Sequence, residues 1–252
     1  MCGRAMKYDK EKPLKVFTAF SGYDSQCLAL ERLKRYDKSF EYDLVGWSEI
    51  DKYAIQAHNV LFPEYKDRNF GDISKIDWEK VPDFDLFTFS SPCQDFSQSG
   101  LQRGGEEGSG TRSSLLWECR KAILAKKPKY LMLENVKALT SKKFMPLFQK
   151  WLDELECYGY SNYWKVLNAT DYGVPQNRER VFCISILKTE DDPMQIFHFP
   201  QPFPLEKRLK DIVEKNEDGS PREMDEKYYL SDKALKYFNR VNEDKTHCHN
   251  FK

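Results

Sequence analysis

The chain has 252 residues, enough for one sizeable α/β domain or for one domain with part of a second. With 40% hydrophobic and 32% charged residues it has the composition of a globular protein. It contains no run of about 18 apolar residues, which excludes a predicted transmembrane helix, and no apolar signal-peptide stretch near its start. The formal net charge is zero, so charge alone gives no argument for a nucleic-acid partner.

Seven cysteines are scattered through the sequence without a CxxC pair. This pattern favours free thiols in a reducing, cytoplasmic setting over disulfides or a zinc site. Cys27, Cys119 and Cys183 lie in apolar runs and are expected to be small core residues. The tripeptide HCH at 247–249 has no second ligand pair nearby, so no metal site is predicted.

Short apolar runs alternate with amphipathic stretches up to about residue 187. Leu14–Phe20 is predicted to be a buried strand, and Ser25–Tyr36 a helix with its apolar residues on one face. The alternation predicts an α/β fold with a doubly wound, mostly parallel sheet and helices on both faces, in which ligands bind beyond the carboxyl ends of the strands. The other predicted elements are the strand Leu44–Trp47, the helix Tyr53–Leu61, a third strand ending at Asp72, the strand Phe84–Phe89, the helix Ser113–Ala125, the strand Lys129–Leu133, the helix Phe144–Cys157, and the strands Tyr163–Leu167 and Val181–Leu187.

The composition changes after the proline-rich break PQPFP at residues 200–204. Residues 201–252 contain eleven Lys or Arg and eleven Asp or Glu, with few strong apolar runs. We therefore predict a first domain over 1–200 and, over 201–252, the start of a smaller lobe or an irregular tail.

Polar groups follow the first three predicted strands. Phe20-Ser21-Gly22 lies between the first strand and a helix, where the backbone can approach a ligand and the helix N-terminus favours polar groups. The second strand ends at Glu49, whose carboxylate can accept hydrogen bonds from ribose hydroxyls. Asp72 is a third polar group at this edge, although it can equally be a turn cap. Together these residues predict a site for a nucleoside cofactor.

The strongest signal follows the fourth strand. Buried structural cysteines usually lie inside apolar runs, whereas Cys93 follows Pro92 in a polar, glycine-rich loop, which favours a nucleophile. The next strand ends in Glu134, a carboxyl group at the same edge. Arg178 and Arg180 precede the last strand at i and i+2 and would share one face of an extended chain, although alone they can be an ordinary solvated pair.

In combination these segments resemble the DNA cytosine-5 methyltransferase family. Its ordered motifs all occur across residues 15–187: the glycine loop, the two acids, Pro-Cys-Gln, Glu-Asn-Val and Gln-x-Arg-x-Arg. The resemblance implies a Rossmann-like, S-adenosylmethionine-dependent catalytic domain over 1–200, of the restriction–modification type, that methylates double-stranded DNA. It makes 201–252 the start of a target-recognition region. A tRNA cytosine-5 methyltransferase on the same domain remains an alternative, because it shares Pro-Cys-Gln and Glu-Asn-Val.

The resemblance also implies a role for each matching residue. Cys93 is expected to add to carbon 6 of a flipped-out cytosine, Glu134 to engage ring nitrogen 3 and the exocyclic amine, and Arg178 to hold the carbonyl oxygen or orient Glu134, with Arg180 beside it. The residues expected at the cofactor are Phe20, Ser21, Gly22, Glu49, Ile50, Asp72, Ile73 and Pro92.

The sequence departs from the family pattern in three places. Phe20 stands where a glycine is usual, and Ile50 where a large aromatic residue commonly stacks on adenine, so binding is expected to persist with weaker affinity. The C-terminal motifs of the family, including a Gly-Asn-Ser segment, are not found before Lys252. The chain is then a truncated form, or a second subunit supplies these motifs and the recognition region, or the chain is a catalytically silent subunit. On the first two readings it methylates DNA poorly when alone.

Overall fold

A computed structural model describes residues 8–91, 112–190, 196–220, 222–225 and 229–236. Its centre is a six-stranded mixed sheet in the order β2-β1-β3-β4-β6-β5. The pairs β1–β2, β1–β3 and β3–β4 are parallel, whereas β4–β6 and β5–β6 are antiparallel. The strands are β1 (Leu14–Ala19), β2 (Tyr42–Ser48), β3 (Leu86–Phe89), β4 (Tyr130–Val136), β5 (Tyr160–Asn168) and β6 (Glu179–Leu187).

Helices cover both faces of this sheet, as predicted. The helices are α1 (Ser25–Tyr36), α2 (Lys52–Leu61), α3 (Cys119–Lys126) and α4 (Met145–Cys157). On one face a core forms among the strands, α1, α2 and Phe62, and on the other a larger core includes α3 and α4. Val16 packs in the first core and its neighbour Phe17 in the second, because successive side chains of a strand point to opposite faces. A strand buried on both faces is mostly apolar, which fits β1 from Val16 to Ala19, where Thr18 is the one polar residue.

The predicted core cysteines lie where expected, since Cys27, Cys119 and Cys183 are all buried. Two other predictions need correction. The expected third strand before Asp72 does not form: Pro63–Arg68 is a 3-10 helix, and the β-type pairing of the segment with the sheet is an isolated bridge between Trp47 and Asn69. The predicted helix Ser113–Ala125 is a 3-10 helix up to Glu118 and becomes α-helical only from Cys119.

The chain divides into two compact units, Met1–Leu205 and Glu206–Lys252. The sheet and its helices belong to the first unit. In the second unit the described residues include the short helix α5 (Leu209–Ile212) and a helical stretch at 232–236, and exposed side chains predominate. The assignment of this part of the chain to target recognition stays a prediction.

Candidate active site

The carboxyl ends of β1, β2, β3 and β4 lie side by side. Ala19, the last residue of β1, pairs with Ser48 on one side and Phe89 on the other, and Phe89 pairs in turn with Leu133. The segments that follow these strands therefore leave the sheet at one edge. The polar residues singled out from the sequence begin at this edge, which is where ligands bind in open α/β sheets.

The turn after β1 has an unusual backbone. Phe20 (φ 55°) and Gly22 (φ 58°) both have left-handed backbone conformations. This conformation is uncommon for a residue with a side chain, such as Phe20, and carries no steric cost for glycine. The space around the Gly22 Cα is open, since a Cβ built there would meet no atom within 4 Å. The Ser21 N–H donates to the Ser48 carbonyl oxygen (3.2 Å), which joins the turn to the end of β2.

Asp24 is the last residue of this turn, and its side chain holds the turn to β1 and α1. It is fully buried with φ 66°, caps α1 by accepting from the Cys27 N–H (3.1 Å), and accepts from the Thr18 hydroxyl (2.7 Å). Its carboxylate is 3.6 Å from Nε2 of His58, a fully buried residue of α2 whose ring stacks on Trp47. Sequence reasoning treated Asp24 only as an extra loop residue, although an aspartate directly before a helix is a capping signal.

Glu49 follows β2 and is held by three backbone N–H groups. Its Oε1 atom accepts from Ile50 (2.8 Å) and Asp51 (2.9 Å), and its Oε2 atom accepts from Gly22 (2.9 Å). The carboxylate therefore links the turn after β1 to the start of α2. Next to it, the Ile50 side chain is 72% exposed, an unusual position for a large apolar group and one where it can pack on a flat ligand.

Asn69 is a residue of this region that sequence reasoning missed. Its side-chain oxygen accepts from the N–H groups of Glu49 (3.2 Å) and Gly71 (2.9 Å), and its amide donates to the Glu49 carbonyl oxygen (3.1 Å). The Ser48 hydroxyl adds a bond to the Gly71 carbonyl oxygen (2.6 Å). These bonds fix the Asp72 segment beside Glu49 without a third strand. No local sequence pattern indicates this role, because the partners lie 20 residues away.

Asp72 and Ile73 occupy different environments. Asp72 caps a 3-10 turn by accepting from the N–H and hydroxyl of Ser74, and these hydrogen bonds hold the pKa of its carboxyl below the usual range. The structure therefore shows Asp72 as the cap of a turn, which was one of the two roles expected from the sequence. The Ile73 side chain is only 4% exposed and packs in the larger core, behind the surface of the edge.

Glu134 and Arg180 form an ion pair at the other end of the same edge. Nε of Arg180 is 3.1 Å from Oε1 of Glu134, and both side chains are about three-quarters buried. The antiparallel pairing of β4 with β6 sets Arg180 beside Val136, two residues from Glu134 on the same face. Burial raises the pKa of the Glu134 carboxyl above its ordinary value, and the guanidinium groups of Arg180 and Arg178 offset part of that rise.

Asn135 ties β4 to the end of β3. Its buried side-chain amide donates to the carbonyl oxygen (3.2 Å) and the hydroxyl oxygen (3.3 Å) of Ser91. From α1, the Gln26 amide donates to the Ser90 hydroxyl (3.3 Å). Ser91 directly precedes Pro92 and Cys93, which lie outside the described residues.

The structure thus brings the sequence-predicted residues into two groups along one edge. The first holds Phe20, Gly22, Glu49 and the Asp72 segment, and the second holds Glu134 with the two arginines. Within the described parts of the chain, no three or more His, Cys, Asp and Glu side chains are grouped so that they could hold a metal ion. None of the helices described has both the length and the apolar character needed to cross a membrane.

Comparison with known proteins agrees with this arrangement. The family model of C-5 cytosine-specific DNA methylases matches residues 14–252. The type II methyltransferase M2.ScrFI of Lactococcus lactis subsp. cremoris is 41% identical over 273 residues, covering 88% of this chain and 71% of its own length. The type II methyltransferase M.NlaX of Neisseria lactamica is 38% identical over 193 residues, covering 77% of this chain and 56% of its own length.

The fold is also similar to that of solved methyltransferase structures. The crystal structure of the S. pombe Dnmt2 methyltransferase superposes with a TM-score of 0.60 at 20% identity, covering 90% of this chain and 66% of that protein. The chain therefore spans 56% to 71% of the length of these three proteins, all of which are longer. With nearly all of its residues matched by the family model, the chain belongs to the C-5 cytosine-specific DNA methylase family.

Proposed function

We propose that the chain transfers a methyl group from S-adenosylmethionine to carbon 5 of cytosine in double-stranded DNA, through a covalent adduct on Cys93. The observation that carries the proposal is the Glu134–Arg180 pair, a buried carboxyl with a raised pKa beside a guanidinium. It lies at the same sheet edge as a second group of residues suited to a nucleoside. A carboxyl that protonates easily can donate to a heteroaromatic base, and a fixed positive charge can stabilise negative charge that develops on it.

S-adenosylmethionine is the methyl donor of this family, and the residues after β1 and β2 fit it. The exposed Ile50 side chain offers an apolar surface for the adenine, and the open space at Gly22 lets the ligand approach the backbone. Glu49 is preorganised by three N–H donors, and its Oε2 atom has one lone pair left for a ribose hydroxyl. The bound cofactor supplies an electrophilic methyl group on a sulfonium. Phe20, Ser21, Asp72, Ile73 and Pro92 complete the proposed set around it.

The proposed chemistry begins at the cytosine ring. The Cys93 thiolate forms a bond to carbon 6, and the electrons of the 5,6 double bond move toward carbon 5 and the ring. A proton from Glu134 on ring nitrogen 3 neutralises the charge that develops, and Arg178 and Arg180 hold the carbonyl oxygen and the Glu134 carboxyl. Carbon 5 then takes the methyl group, a base removes the carbon 5 proton, and the Cys93 sulfur leaves as the double bond re-forms. The proton on ring nitrogen 3 returns to Glu134 as the Cys93 thiolate leaves, and the base passes the carbon 5 proton to solvent.

Access to carbon 6 requires the target cytosine to leave the duplex. Extrusion of a base costs a few kcal/mol, which contacts to the DNA have to offset. We propose that residues 201–252 begin the region that makes these contacts and are not sufficient for them. Methyl transfer is then slow for the chain alone and rises when a polypeptide carrying a target-recognition region and the Gly-Asn-Ser segment is added.

The test is covalent trapping with a duplex that contains 5-fluorocytosine, whose carbon 5 substituent cannot leave as a proton. Incubation with S-adenosylmethionine, with and without the added polypeptide, is followed by peptide mass spectrometry. We expect an adduct on Cys93 that Cys93→Ser abolishes. Cys157→Ser is the matched control, because Cys157 is an exposed free thiol. An adduct on Cys157, or none under either condition, contradicts the proposal, and an adduct formed with tRNA but not with duplex DNA reassigns the substrate.

A further inference from the structure

The connection between β5 and β6 carries Arg178 at its end, followed by Arg180 in the strand. It runs through a 3-10 turn, Ala169–Tyr172, and through Gly173, which has φ 79°. Most of its side chains are exposed, so it has little core of its own. Arg180 is fixed by pairing with β4 and β5 on both sides, whereas the position of Arg178 depends on what fixes this connection.

Asn168 closes the connection at its base. Its side-chain oxygen accepts from the N–H groups of Thr170 (3.3 Å) and Arg178 (3.1 Å), and its amide donates to the side-chain oxygen of Asn177 (2.8 Å). The Ala169 N–H donates to the Arg178 carbonyl oxygen (3.1 Å). These bonds join the two ends of the connection but do not hold its tip.

The tip is held by a later part of the same compact unit, residues 196–205. The Phe203 N–H donates to the Asp171 carbonyl oxygen (3.0 Å), and the Tyr172 hydroxyl donates to the Pro200 carbonyl oxygen (3.0 Å). The rings of Tyr172 and Phe203 pack edge to face, with centroids 6.2 Å apart. The Phe203 ring also lies against Gly173, where a Cβ would approach it to 2.9 Å.

We propose that Phe203 and Tyr172 are positioning residues, which hold the β5–β6 connection so that Arg178 stays near Glu134. The connection is clamped at the base by Asn168 and at the tip by this aromatic pair. Release of the tip lets the connection open, and the Arg178 guanidinium then spends less time near the carboxyl, whereas Arg180 stays in the sheet. The catalytic importance of this clamp rests on the proposed function, whereas its existence does not.

Phe197 provides a matched control in the same segment. Its ring packs on Tyr163 of β5 (6.1 Å between centroids) and on Phe199 (5.0 Å) rather than on the connection. Truncation of Phe197 removes the same number of atoms and loosens the segment, but leaves the contacts of Phe203 and Tyr172 in place.

The experiment compares Phe203→Ala with Phe197→Ala in the 252-residue chain by two readouts that need no turnover. Amide hydrogen exchange of residues 169–178 is expected to be faster by up to roughly tenfold in Phe203→Ala and unchanged in Phe197→Ala, since the ring contact with Tyr172 is lost while the backbone hydrogen bond to Asp171 remains. Carboxyl carbon NMR is expected to show a higher pKa for Glu134 only in Phe203→Ala, because Arg178 adds to the lowering by Arg180 in the intact protein.

Equal exchange rates and equal Glu134 pKa values in the two variants would overturn the proposal. If Phe203→Ala does not fold, Tyr172→Phe tests the clamp instead, because it removes only the hydrogen bond to the Pro200 carbonyl oxygen. It is expected to speed exchange in 169–178 by a smaller factor, and no change in exchange rejects the clamp. If the chain shows these shifts but forms no adduct with 5-fluorocytosine, the clamp is supported and the proposed function is rejected.

Discussion

Two glutamates, Glu49 and Glu134, lie at the same edge of the sheet and are held in opposite ways. Glu49 lies in the parallel half, where three backbone N–H groups bind its carboxylate. Glu134 lies where the sheet becomes antiparallel, and its charged partners are the side chains of Arg180 and Arg178. Backbone donors fix the orientation of the Glu49 carboxyl group as a hydrogen-bond acceptor. Burial beside movable guanidinium groups instead permits a change of protonation.

The difference follows from strand direction. Parallel strands present only their carboxyl ends at the edge, so the segments after β1 and β2 meet there as turns and helix starts, which are rich in free N–H groups. An antiparallel β6 brings its beginning to the same edge, and with it the Arg180 side chain opposite Val136. The mixed sheet therefore places a ligand-accepting region next to a proton-donating one.

The largest effect is expected from Glu134→Gln. If Glu134 donates a proton to the base, the amide variant loses about 10²- to 10⁴-fold in turnover, the range of general acid catalysis, while S-adenosylmethionine affinity changes little. Single-turnover methyl transfer and calorimetry measure the two quantities separately. Turnover within a factor of two of the unmodified chain would remove Glu134 from the proposed chemistry.

A smaller effect is expected from Glu49→Ala. The substitution leaves the N–H groups of Gly22, Ile50 and Asp51 without their acceptor and removes the proposed ribose contact, so S-adenosylmethionine should bind roughly ten- to a hundredfold more weakly. Calorimetry checks the affinity. Glu64→Ala, at an exposed glutamate in the neighbouring 3-10 helix, is the control and should bind normally. Unchanged affinity in Glu49→Ala would place the cofactor elsewhere.

The smallest expected effect is on the pH dependence of the protein's stability. Burial in the folded protein raises the pKa of Glu134 above its unfolded value near 4.5, so protonated Glu134 stabilises the folded state. This stabilisation is complete below pH 4.5 and is lost as the pH rises through the pKa of the folded state. Glu134→Gln stays neutral, so its melting temperature should exceed that of the unmodified chain at pH 7, by roughly 2–4 °C, and the gain should vanish below pH 4.5.

Glu41 offers a control of opposite sign for this measurement. Its pKa is lowered, first by the hydrogen bond from Lys34, so its charged form contributes stability above the unfolded pKa that is lost as the pH falls. Glu41→Gln should therefore lower the melting temperature slightly at pH 7. Shifts of the same sign in both variants would contradict the assigned environments.

Local patterns predicted α1 from Ser25 to Tyr36, the bounds that the structure shows, because its apolar spacing is a signal contained within one helix. They failed before Asp72, where the apparent strand is a 3-10 helix held to the sheet by Asn69. β5 is longer than predicted, Tyr160–Asn168, because pairing with β6 extends it beyond its apolar centre.

The candidate site, too, could be predicted only in part from local sequence patterns. The motif residues Glu49, Glu134 and Arg180 were identified from sequence, because their chemistry is visible in their residue types. The residues that hold them, such as Asn69 and Phe203, have partners 20 to 30 positions away and carry no local signal. Side-chain hydrogen bonds of this kind depend on the folded topology rather than on the neighbouring sequence.

Adjacent residues of β4 serve two different tasks, since Glu134 faces the arginines on one side of the sheet and Asn135 holds Ser91 from the other. A shift of this strand by a single residue would exchange the two faces, so both tasks would fail together. An insertion or deletion upstream within the strand would therefore disturb both tasks, whereas a substitution at one of the two positions disturbs only the task of that residue. Transplanting the site onto another scaffold requires the strand register to be copied along with the side chains.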